Sequence, residues 1–277
     1  LKFTTLFINA AKEKMLENFE QASSLYSQCI RITPKSASAM YELAGIYTFQ
    51  GKYEDALFFS KKAAQTDPYN NWYQILLGEC YKHNNLYADA IYVYSRLVKM
   101  FPYETDYYHT WANTLLQMGK FNDALKIYDL YESKFGVQEE ISVQKQRLYI
   151  KIGKIDKATE EINKLIRINP RETRYYEMLS DMYRANGMFD KALDALDHLA
   201  QMDPANGNVR LKLAEIYRSS GKVDKALDAL RVAFANPHID IGVKIGHLLS
   251  FHLYTEVNQD LKGELTELSR ILVITHP

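Results

Sequence analysis

The chain has 277 residues, and its 34 Lys+Arg balance 34 Asp+Glu to give a formal charge of zero. That balance excludes the basic footprint that binding to nucleic-acid phosphates requires. The mixture of 47% apolar and 25% charged residues excludes a disordered chain. Glycine and proline are sparse (12 and 7), which favours helix, whereas 21 tyrosines and 12 phenylalanines need amphipathic seams to occupy. No run of about 18 apolar residues occurs, so no segment has the composition of a membrane-spanning helix.

A fixed period organises the chain. Ala22, Ala56, Ala90, Ala124, Ala158, Ala192 and Ala226 follow one another every 34 residues. Tyr47, Tyr81, Leu115, Tyr149, Tyr183, Tyr217 and Phe251 form a second column at the same spacing, and Pro34, Pro68, Pro102, Pro170 and Pro204 a third. Units therefore start near residues 3, 37, 71, 105, 139, 173 and 207, with a degenerate one near 241.

Taken in chain order, each unit reads as two helices. The first unit carries Leu6, Phe7, Ala10 and Ala11, then Met15 and Leu16, and is less polar than an end cap should be. Either further chain precedes it or a partner covers it. Gly51, Gly119, Gly153 and Gly221 mark the corners between the paired helices, where a left-handed residue ends a helix cheaply. Between Tyr131 and Glu140 the proline gives way to Gly136 while the period holds, which argues for a local loop variant. In the sixth unit, residues 173–186 form a first helix with Tyr176, Leu179 and Tyr183 on one stripe; Gly187 ends it, and the run from Phe189 to Leu199 forms the second. Asp203-Pro204 then breaks that helix. In the last unit Gly242 and Gly246 weaken the first helix, and Val257 to Asp260 lengthen the turn before the stripe Leu261, Leu265, Leu268, Leu272. Thr275-His276-Pro277 has the form of another inter-unit break.

The alanine column has a physical role. It lies near the start of each second helix, where a small residue lets paired helix axes approach to roughly 8–10 Å. One pair cannot bury its apolar stripe alone, so stacked pairs share a continuous core. The expected fold is all-α, one solenoid of antiparallel helix pairs over residues 1–277.

These columns resemble the tetratricopeptide repeat family, whose unit has a small residue at place 8, a large apolar residue at place 11, Ala at place 20, an aromatic at place 24 and Pro at place 32. Place 8 here is Ala10, Ala44, Gly78, Ala112, Gln146, Ser180 and Ala214. Place 24 is Tyr26, Ser60, Tyr94, Tyr128, Ile162, Leu196 and Leu230. Glu13, Gly136, His238 and the oversized Gln146 depart from the pattern. The resemblance implies a right-handed superhelix with first helices on a concave wall, exposing places 2, 5, 9 and 12. Carried over residue by residue, it assigns Tyr41, Trp72, Ile75, Glu79, His109 and Asn113 to an N-terminal, partly aromatic stretch of that wall. It assigns Arg147, Arg174, Asp181, Arg184 and Arg218 to a C-terminal stretch of mixed charge. Those charges either contact a bound segment or pair with one another across turns. The family's carboxylate clamp for chaperone tails is not matched: His109 and Asn113 are followed by Gln144, Arg174 and Met178 where it needs Asn, Lys and Arg.

Catalytic and metal signatures are weak. His83 and His109, with Glu79, sit in different units without a third ligand at metal spacing. His247 and His252 are five apart and diverge on a helix. Glu139-Glu140 and Glu160-Glu161 read as solvated polar faces, and Cys29 and Cys80 as small buried hydrophobes. No nucleophile-elbow, P-loop or dinucleotide string occurs. The expected function is a non-catalytic scaffold, without cofactor or metal, that holds a protein or peptide partner on its concave face, as part of a larger assembly. Neither nucleic acid nor membrane insertion is expected. The second reading is a regulatory or substrate-presenting module of a larger enzyme, and the third is self-assembly through the apolar first unit. In its Lys, Asn, Ile and Tyr richness the chain also resembles arrays of bacterial envelope-associated lipoproteins, which leaves cytoplasm and periplasm, with or without a lipid anchor, open.

Overall fold

A computed structural model describes residues 2–204, 206–255 and 262–277. Among them are sixteen α-helices in eight pairs, with no strand. The pairs are α1 (Lys2–Met15) with α2 (Phe19–Ile32), α3 (Ala37–Phe49) with α4 (Tyr53–Thr66), α5 (Asn71–His83) with α6 (Tyr87–Met100), and α7 (Thr105–Gln117) with α8 (Phe121–Phe135). Then follow α9 (Glu139–Lys151) with α10 (Ile155–Ile168), α11 (Thr173–Ala185) with α12 (Phe189–Met202), α13 (Gly207–Ser219) with α14 (Val223–Phe234), and α15 (Ile241–Thr255) with α16 (Lys262–Thr275). The chain divides into two units, residues 1–141 and 142–277, each a tetratricopeptide-like stack of helix hairpins. The lengthened turn expected over Val257–Asp260 lies outside the described residues. No described helix is long and apolar enough to cross a membrane.

All seven column alanines, from Ala22 to Ala226, have 0% exposure. They meet the small residues at place 8: in the sixth pair the Ser180 hydroxyl donates to the Ala192 carbonyl at 3.0 Å, across the crossing itself. A larger side chain at place 20 would force the helices apart, whereas place 8 admits Gln146 in the fifth pair.

Among the described residues the corner between paired helices has one geometry. In the second pair Lys52 N–H donates to Tyr47 O and Gly51 N–H to Thr48 O, the paired bonds that close a helix around a left-handed residue. The long bond recurs at Leu86–Tyr81, Lys120–Leu115, Lys154–Tyr149, Met188–Tyr183 and Lys222–Tyr217. The place-11 column thus both packs and supplies the accepting carbonyl. Gly51, Gly119, Gly153, Gly187 and Gly221 have φ between +70° and +75°. Glu17 (φ 61°) and Asn85 (φ 58°) hold the same place without glycine.

Four junctions between pairs use place 4 of the following first helix. Gln74 Nε2 donates to Ala64 O and Pro68 O, while the Tyr108 and Tyr176 hydroxyls donate to Pro102 O and Pro170 O. In the last pair the buried Lys244 Nζ takes this role, donating to Phe234 O at 2.9 Å and Asn236 O at 2.7 Å. A cation there meets the negative end of α14. Despite its glycines α15 is helical from Ile241, with Asp240 Oδ1 accepting from the amides of Gly242 and Val243.

One reading of the sequence is corrected. Glu161 is not on a solvated face but buried, 3.0 Å from the buried Lys145 Nζ. These two stand where the other pairs place apolar side chains, such as Leu43 with Phe59 or Leu77 with Val93. Lys164 bonds both oxygens of Glu161 from the solvent side. His247 occupies the same place 7 as Lys145, and burial pushes its imidazole pKa down.

Three outcomes are expected. Glu17→Gly relieves a left-handed strain of roughly 1 kcal/mol and raises the Tm of residues 1–141, offset in part by the freer unfolded chain. Lys145→Leu alone lowers stability by about 2 kcal/mol in urea unfolding, because Glu161 loses its buried partner, whereas Lys145→Leu with Glu161→Ile restores or exceeds wild type. Because the folded-state pKa of His247 lies below its unfolded value, its neutral form contributes stability above about pH 6.5 that is lost as pH falls through the depressed folded value. His247→Leu, compared by thermal unfolding from pH 7 to pH 5, should flatten that loss.

Candidate binding groove

In the first unit, α5 and α7 stand side by side as first helices of adjacent pairs and leave a groove of about 460 Å³ between them. Trp72, Ile75 and Glu79 line it from α5, as their spacing of three and four residues along one helix face requires. Asp106, Tyr107 and Thr110 line it from α7. Trp72 is 63% exposed, so its ring does not pack into the preceding pair.

The floor comes from an unexpected place. Tyr94 belongs to α6, a second helix, yet its phenol reaches the groove and donates to Glu79 Oε1 at 2.9 Å. It can do so because residue 78 has no side chain: a Cβ there would lie 2.6 Å from the Tyr94 ring. Burial, and then the neighbouring Glu79 carboxylate, push the Tyr94 phenol far above the usual range, so it remains a donor. Lys82 closes the other side, 3.1 and 3.2 Å from the two Glu79 oxygens. Asn71 Nδ2 donates to Tyr107 Oη at 3.1 Å and ties the two walls together at one end. Tyr94 and Tyr107 carry no first-helix exposure pattern, and only the Gly78 deviation from the alanine norm hinted at the former.

The remaining first-unit residues of the expected wall have other neighbours. Tyr41 is half-buried with its ring 5.1 Å from that of Tyr73 in the next pair. His109 sets its edge to Tyr131 at 5.4 Å, and Asn113 is exposed. His83 stacks flat on Tyr53 at 4.6 Å. The structure therefore gathers Trp72, Ile75 and Glu79 into one groove and leaves Tyr41, His109 and Asn113 outside its lining.

In the second unit the charges largely answer one another. Lys212 of α13, which sequence reasoning passed over, reaches Glu177 at 2.8 Å and Asp181 at 3.6 Å on α11. Arg184 stands 3.9 Å from Asp181. Such half-exposed pairs contribute about 0–1 kcal/mol each. Arg218 lies over the Phe251 ring at 5.6 Å and Arg174 over that of Tyr175 at 5.6 Å, while Arg147 is exposed. Leu211, at place 5 of α13, is buried in the core. A second groove of about 420 Å³ lies beside α12, where Tyr176, Tyr183, Lys191 and His198 surround it.

Both thiols are inside: burial raises the pKa of Cys29 and Cys80, the opposite of what a nucleophile needs. Among the described residues no group of three His, Cys, Asp or Glu side chains could hold a metal ion.

Comparison with known proteins agrees with this architecture. Tetratricopeptide repeat family models match residues 147–172 and 183–238, and the model for anaphase-promoting complex, cyclosome, subunit 3 matches residues 49–130. No curated protein matches the chain. Among solved structures, a tetratricopeptide repeat protein from Parabacteroides merdae ATCC 43184 is similar over 98% of this chain and 99% of its own, at 15% identity and a TM-score of 0.51. The structure of Naa15/Naa10 bound to HypK-THB is similar over 95% of this chain, at 15% identity and a TM-score of 0.59. This chain spans only 43% of that protein's length. With its 34-residue columns, the corners of its described pairs and these matches, the chain carries tetratricopeptide repeats.

Proposed function

We propose that the protein is a non-catalytic scaffold that holds a protein or peptide partner on the face formed by its first helices. The observation that carries this reading is the α5–α7 groove, with the Trp72 indole exposed beside Ile75 over a floor built by Tyr94. A large aromatic ring held open at a concave site is the kind of anchor that dominates binding energy at interfaces. Its helical walls are already ordered, so association fixes little backbone and loses less entropy. The similar Naa15 structure, determined with Naa10 and HypK-THB, supports a role in assembly between proteins. The spacing from Ala124 to Ala158 runs through residue 141 unbroken, which supports reading residues 1–277 as one array.

The test uses a partner identified by capture from native lysate and measured by calorimetry. Trp72→Ala should weaken binding by about tenfold or more while shifting Tm by less than about 2 °C, since the ring is mostly in solvent. Tyr92, equally exposed at 63% but on the second helix α6, is the control: Tyr92→Ala should leave affinity unchanged. Equal affinity of the Trp72→Ala protein and wild type would overturn the reading.

A further inference from the structure

The charged side chains that line the α5–α7 groove are all of one sign. Glu79, Glu104 and Asp106 line it, and neither lysine nor arginine does. Glu79 is already engaged by Tyr94 and Lys82. Glu104 and Asp106 are exposed, and neither makes an ion pair among the described residues. Glu104 stands at the cap position of α7, yet its side chain accepts no capping bond there. At the same position in other pairs Ser36, Asn70, Glu172 and Asn206 all accept an amide. The Glu104 carboxylate is thus not consumed by the helix. The partial positive charge at that helix end, about half a unit, is smaller than the two carboxylates it meets.

We propose that this groove takes an extended partner segment that carries a lysine or arginine next to an apolar residue. The inference rests on the binding face proposed above and names its partner's chemistry. The apolar residue packs on Ile75 and Tyr107, and the cation lies against the Trp72 ring within reach of Asp106 and Glu104. A cation over an indole gains energy from the ring quadrupole, and more when flanked by carboxylates in a partly desolvated groove. An acidic segment in the same place meets the Glu104 and Asp106 carboxylates and is repelled.

The experiment uses the full chain and an immobilised array of peptides of about eight residues. Each keeps two leucines flanking one central position, which is varied among arginine, lysine, glutamine and glutamate. Wild type should retain the arginine and lysine peptides about tenfold more strongly than glutamine, with glutamate weakest, and added salt should narrow the difference. Glu104→Gln with Asp106→Asn changes two exposed side chains and should bring arginine and glutamine within about twofold, at unchanged Tm. Equal retention of arginine and glutamine by wild type, a preference that survives the double substitution, or no retention of any peptide overturns the inference. If Trp72→Ala lowers retention of every peptide alike while no charge preference exists, the binding face stands and only the cationic partner falls.

Discussion

Everything in this molecule depends on how closely two helices of a pair can approach. The alanine at place 20 and the small residue at place 8 leave backbone facing backbone, near enough for the Ser180 hydroxyl to bond the Ala192 carbonyl. That approach sets where the second helix lies against the first, and hence where the next first helix must stand. The left-handed corner acts with it: the Lys52-to-Tyr47 bond and its equivalents turn the chain within a few residues, so the two stripes meet in register. Glycine makes this corner cheap, but the closing hydrogen bonds are strong enough to hold Glu17 and Asn85 there too.

Two departures of the repeat from its own pattern are polar groups placed inside. Lys145 and Glu161 exchange an apolar contact for an ion pair, a substitution that rarely adds stability because both charges must leave water. Lys244 is easier to account for. It takes over the donor role that Gln74, Tyr108 and Tyr176 have elsewhere, and two carbonyls at the end of α14 receive it.

The groove joins the packing rule to function through a single missing atom. At place 8 alanine would suffice for the helix crossing, but residue 78 is glycine, and the Tyr94 ring occupies the space a Cβ would need. A buried second-helix aromatic thereby reaches beneath the first-helix groove, and its hydroxyl bonds Glu79. Tyr26, at the same place 24 in the first pair, is as buried as Tyr94 but clusters with an alanine, Ala10, at place 8.

The sequence by itself determined the helix pairs and their register, because one alanine in every 34-residue unit marks where paired helices cross, and glycine marked most of their corners. It also placed Trp72, Ile75 and Glu79 on one face, since helical periodicity is local. What it left undecided were contacts between residues about a repeat or half a repeat apart: Tyr94 with Glu79, Lys145 with Glu161, Lys212 with Glu177, and the turning of Tyr41 and His109 toward Tyr73 and Tyr131. Only the tertiary structure decided these, because a side chain's partner depends on the shape of the space between helices, and periodicity fixes the helices but not what fills the gap.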